Sequence, residues 1–262
     1  MVQVSCWATT PWSHSREADD ALMETRVIAV NVGSVLTNFA WAGLDLPGRR
    51  LVSGGGARPD EAAVSVLAAL TSGIRVALGF EAPLVLPVSP VDQVDGWKTL
   101  GKARQGETVD GRSRPWSAGA GSGALATGLM QMAWVLERVG SELPGMACTT
   151  RPEVWLSGES GLLVWEAFVS GTGKPVPAGT TQHAADAAAA ADTFADRLEA
   201  GTLGESDVVC APMSSFNLAA AAAPYANMTI GVDELRLPVP VYRTRPARLY
   251  RGLAGPSLKS RP

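Results

Sequence analysis

The 262 residues are 46% hydrophobic and 18% charged, enough apolar mass for a substantial core in one α/β domain with insertions. A net charge of −3 excludes a global basic field for holding nucleic acid, so such a contact needs a local patch. With only two histidines, His14 and His183, a histidine-rich metal site is excluded, and Cys6, Cys148 and Cys210 are too dispersed for a zinc pattern or a disulfide framework; a carboxylate site for a hard cation stays open.

Met1–Arg26 has no apolar core of signal-peptide length and carries Asp19, Asp20 and Glu24. No apolar run reaches membrane-spanning length. The expectation is a soluble, cytoplasmic protein with no membrane partner. Residues 1–25 read as an N-terminal extension of poor order, residues 26–245 as the folded domain, and residues 246–262 as a basic, irregular tail.

Ordered structure is expected from Arg26. Val27–Val30 is a β-branched run, followed after Gly33–Ser34 by Val35–Trp41 and Leu44–Leu46, which predicts an opening β-hairpin; Arg49–Ser53 fits a third short strand. Pro59-Asp60-Glu61 suits a helix N-terminus, and the apolar periodicity runs to about Leu70. Arg75–Phe80 is a buried-type strand. Glu81 follows it directly, which places a carboxylate at the carboxyl edge of the sheet, where α/β proteins hold their chemistry.

Residues 84–123 are the least regular stretch and read as a flap. Lys98, Lys102, Arg104, Arg112 and Arg114 alternate with Trp97 and Trp116, a pattern that suits phosphate contact, although Asp92, Asp95, Glu107 and Asp110 dilute it toward an ordinary solvated loop. Gly119, Gly121 and Gly123 look like a phosphate-cradling loop, but without a preceding strand or a Gly-Lys-Ser/Thr ending. Ala124–Val139 is an amphipathic helix, Glu153–Leu156 fits a short strand or a turn, and Leu162–Phe168 is an apolar strand carrying Glu166. Gln182–Leu198 is an alanine-rich helix with His183 and Asp186 three apart on one face. Taken alone, Asp186 there reads as a local helix feature. Ser214–Ala223 is predicted as a helix and Val239–Tyr242 as a last short strand.

In the order Asn31, Glu81, Glu166, Asp186, the polar groups at these strand ends and on the closing helix resemble the pattern of the ribonuclease H-like superfamily, and within it the bacterial families of predicted nucleases. The segments that carry the likeness are VIAVNVGSVLTNFAWAGLDL, ALGFEAPLVLP, LLVWEAF and HAADAAAAA; the His-x-x-Asp-Ala pattern at 183–187 is also similar to the last catalytic motif of RuvC-type resolvases. The likeness spans roughly Arg26–Leu198. It implies a mixed five-stranded sheet flanked by helices, with Glu81, Glu166 and Asp186 as ligands of Mg²⁺ or Mn²⁺. It also implies that His183 orients a water, a ligand or a phosphate, and that Arg104, Arg112 or Arg114 contacts the phosphate of a nucleic acid or nucleotide. Two metals about 3.5–4 Å apart activate a water and stabilise the leaving oxygen of a phosphodiester.

Two residues depart from that pattern, and one of them is Glu81, which stands where the relatives often have the shorter aspartate. The first strand normally carries aspartate, and this chain has Asn31, a neutral side chain that offers a metal one oxygen. Three readings follow: a metal-dependent phosphodiester hydrolase with its first catalytic position altered at Asn31; a degenerate relative that binds nucleic acid or a protein without cutting; and an actin-like ATPase or sugar-kinase relative, whose first motif is also a strand–glycine–strand hairpin.

Overall fold

The apolar β-branched run at the start of the domain forms the central strand of a mixed sheet. The structure, a computed structural model, describes residues 24–34, 37–56, 58–90, 92–109, 112–113, 115–245 and 250–251. In chain order the elements are β1 (Thr25–Asn31), β2 (Ala40–Leu46), β3 (Arg50–Gly56), α1 (Pro59–Thr71), β4 (Arg75–Phe80) and β5 (Val85–Val88). The short strands β6 (Thr108–Val109) and β7 (Arg112–Ser113) lie within the flap, followed by α2 (Gly119–Glu142), β8 (Cys148–Thr149), α3 (Pro152–Leu156) and β9 (Leu162–Phe168). The chain continues through β10 (Pro177–Ala178), α4 (Gln182–Glu199), β11 (Ser214–Asn217), α5 (Leu218–Tyr225), β12 (Val241–Arg243) and β13 (Tyr250–Arg251).

The main sheet has seven strands in the order β12-β9-β4-β1-β2-β3, with β8 also paired to β9. β1, β2 and β3 form an antiparallel meander; β4, β9 and β12 add in parallel on the other side of β1. The expected five strands are thus exceeded, because β12 and the two-residue β8 extend the sheet beyond β9. Helices cover both faces. Ile28, Val30, Leu78, Phe80, Leu162 and Val164 face a core shared with α1, α2 and α5. Val27, Ala29, Ala77, Leu163 and Trp165 face α4, whose Ala190, Ala191 and Phe194 allow close packing. Period-two alternation in each strand sorts its side chains between these two cores. Gly79 belongs to the second set, and only hydrogen fits there: a Cβ would stand 2.3 Å from the Trp165 ring.

Three local expectations change. Gly119–Gly123 is the first turn of α2 and not a loop, so no phosphate cradle forms there. Pro152–Leu156 is helical, with proline at its first turn. Ser214–Asn217 is a strand, because it supplies the antiparallel partner that β5 needs; the helix begins only at Leu218, capped by the Asn217 side chain. Among the described residues no helix is long and apolar enough to cross a membrane.

Candidate functional site

The carboxyl ends of β1 and β4 lie side by side, and the Glu81 backbone N–H donates to the Val30 carbonyl at 2.8 Å. Asn31 continues the alternation of Val27 and Ala29 and therefore points toward α4. Glu81, two residues past Gly79, points the same way. The Asn31 amide Nδ2 donates to Glu81 Oε2, and Asn31 Oδ1 lies 3.0 Å from His183 Nδ1. His183 reaches this point because α4 starts where it does: Thr181 Oγ1 accepts from the Ala184 N–H at 3.2 Å, capping the helix one residue before Gln182. Asn31 and Glu81 are buried, while His183 is half-buried. Gln131 of α2 donates to the Gly33 carbonyl and ties the β1–β2 connection to the opposite helix.

Asp186 sits one turn farther along α4 and is buried. Its Oδ1 accepts from Gln182 Nε2 at 2.7 Å, an i, i+4 pair within the helix, and its Oδ2 lies 3.5 Å from Lys174 Nζ. A half-exposed lysine and a neutral amide thus balance this carboxylate without a metal.

Glu166 lies on the other side of the sheet. It is the register partner of Phe80, so the two share a face, and Glu81, one residue later, points the opposite way. Arg104 reaches in from the flap and holds both Glu166 oxygens, through Nη1 at 2.7 Å and Nη2 at 2.8 Å. It also donates from Nε to Glu107 at 2.9 Å and from Nη1 to the Val85 carbonyl at 3.1 Å. The Leu84 N–H adds a further bond to Glu166 at 2.8 Å. All three charged side chains are 1% exposed or less. Burial alone would push the Arg104 guanidinium down, but the charge of Glu166, then that of Glu107, outweighs it and holds the group above its ordinary value. A water-sized cavity beside them is lined by Ala82, Pro83, Arg104, Glu166, Ala167 and Phe168.

The site residues expected from sequence therefore divide. Asn31, Glu81 and His183 come together, with Asp186 on the same helix as His183. The expected grouping of Glu166 with Glu81 and Asp186 as metal ligands does not form, because the sheet stands between their side chains. Arg104 is not free for a substrate phosphate either, since its guanidinium is used up in the core. Arg112 lies on β7 without a described side chain, and Arg114 lies outside the described residues. Among the described residues, no three His, Cys, Asp or Glu side chains are grouped so as to hold a metal ion. Among the described residues a two-metal carboxylate centre is not assembled: Glu166 is locked to arginine on the other side of the sheet, and Asp186 is held by lysine and glutamine.

Sequence reasoning passed over Gln182 and Lys174 as partners of Asp186, and took Glu107 only as an acid that dilutes the charge of the flap. Gln182 was visible as an i−4 neighbour of Asp186; Glu107 was visible as an acid three residues after Arg104. Compared with protein-family models, curated proteins and solved structures, the chain matches none.

Proposed function

We propose that this chain is a ribonuclease H-like domain that serves as a binding scaffold and not as a two-metal nuclease. The fold supports the first half of the reading: a mixed sheet that opens with an antiparallel hairpin and is flanked by helices is what the sequence likeness leads one to expect. The observation that carries the second half is the clamp on Glu166, which turns an expected metal ligand into half of a buried ion pair on the wrong face of the sheet. Asn31 works in the same direction, since it bonds Glu81 as a neutral donor. The binding surface is the carboxyl edge where Asn31, Glu81 and His183 meet.

The competing reading, a Mg²⁺- or Mn²⁺-dependent phosphodiesterase, draws on the convergence of those three residues beside Asp186. One assay separates the two. Single- and double-stranded DNA and RNA are incubated with millimolar Mn²⁺ and the full chain, beside an Asp186→Ala variant, while calorimetry follows Mn²⁺ binding. The scaffold reading expects no cleavage above that of the variant and no stoichiometric metal uptake. Cleavage that requires Mn²⁺ and disappears with Asp186 overturns it.

A further inference from the structure

The Glu81–Asn31–His183 chain has a direction, and that direction sets what the site presents to a ligand. A carboxylate only accepts hydrogen bonds, so Glu81 obliges Asn31 to turn its Nδ2 toward it. The amide oxygen must then face His183, and an oxygen 3.0 Å from Nδ1 needs a proton on that nitrogen. We infer that Asn31 is a positioning residue that fixes neutral His183 as the Nδ1–H tautomer, so that the site offers the Nε2 lone pair as an acceptor for a donor group: a hydroxyl, an amine or a water.

Two observations support this. Asn31 and Glu81 are buried, so water does not compete for the amide. His183 is half-buried, and among the described residues the hydrogen bond to its ring is the one at Nδ1 with Asn31. An Nε2 lone pair does not bond phosphate oxygens that present lone pairs of their own. The two roles of an imidazole, acceptor at one nitrogen and donor at the other, are here assigned by a residue 152 positions away in the chain.

The placement of a ligand at this edge rests on the scaffold reading; the tautomer does not. The test is ¹⁵N NMR of the full chain at a pH where histidine is neutral. The chain has two histidines, and a His183→Gln variant identifies the resonances that belong to His183. The expected result is Nδ1 in the protonated range and Nε2 in the unprotonated range. Asn31→Ala should exchange the two, because an unconstrained imidazole in water prefers the Nε2–H form, and Glu81→Gln should give a mixture, since a glutamine no longer dictates which way the amide faces. Inorganic phosphate added at the same pH should leave both resonances in place. A wild-type His183 found as Nε2–H, or a phosphate-induced shift of Nε2, overturns the inference. Metal-dependent cleavage in the nuclease assay would sink the scaffold reading and leave the tautomer standing.

Discussion

At position 31 one amide stands where the resemblance leads one to expect a carboxylate, and it decides the electrostatics of the whole edge. As asparagine, it donates to Glu81 and needs no cation. Asn31→Asp would place two buried carboxylates in contact, a like-charge pair that repels unless a cation or a proton intervenes. The variant is expected to lose about 1–3 kcal/mol of stability in EDTA, the range for a buried polar group left unsatisfied, and to regain much of it in millimolar Mn²⁺. Thermal denaturation in the two buffers measures this, and equal melting in both would show that Asn31 is not what keeps metal away. Arg104 makes the opposite point. It bonds Glu166 and Glu107 at once, so Arg104→Ala strands two buried carboxylates and should cost about 3–5 kcal/mol in urea denaturation. Replacing the whole set (Arg104→Met, Glu107→Leu and Glu166→Leu) should recover most of that loss, because an apolar cluster of similar volume carries no desolvation penalty. Failure of the triple variant to recover would mean that the ion pair also positions the flap.

At the scale of elements, the site depends on α2 lying almost against the turn after β4. Gly128 faces Ala82, and a Cβ at position 128 would come within 2.2 Å of the Ala82 Cβ, a methyl that has no rotamer by which to move aside. Gly128→Ala should therefore push α2 away from residues 81–83, costing about 1–3 kcal/mol by overpacking. It should also disturb the His183 ¹⁵N signature through Glu81, which a purely local cavity effect would not do. The opening hairpin, Arg75–Phe80, Leu162–Phe168 and the alanine-rich helix were legible because each has a strong period of its own. What sequence did not disclose was the face on which Glu166 lies. In LLVWEAF the alternation separates Glu166 from Trp165, but only the register with β4, Phe80 opposite Glu166, tells which set meets α4. Arg104 was hidden for a related reason: its partner is 62 residues away, and a basic residue in a glycine- and proline-rich stretch looks solvated until tertiary structure buries it. Asn31, Glu81 and His183 were found because strand ends and helix starts are fixed locally, and those three sit at such ends.

Across the whole molecule, both cores hold ionisable groups that the fold keeps protonated, and this predicts how the protein fails in alkali. Cys148, at the rim of the first core, is pushed from an ordinary 9.0 up to about 12, mainly by burial and then by the charge of Glu234. Tyr242, in the second core against Trp165 and Phe194, is also raised by burial, and its hydroxyl donates to the Leu203 carbonyl at 2.6 Å. In both groups the native state keeps a proton that the unfolded chain releases. Their contribution is therefore complete below the unfolded value and is lost as pH rises toward the folded one. For Cys148 that window runs from about pH 9 to about pH 12. Within it, each such group steepens the fall in stability by about 1.4 kcal/mol per pH unit. Urea denaturation at steps from pH 8 to pH 11 should show wild-type stability flat at first and then falling. Cys148→Ala, lower at pH 8 because of the atoms it removes, should fall less steeply above pH 9, so that the two curves converge. Tyr242→Phe should do the same from about pH 10, the ordinary tyrosine value. Parallel curves would mean that the protons on Cys148 and Tyr242 are not what links stability to alkaline pH.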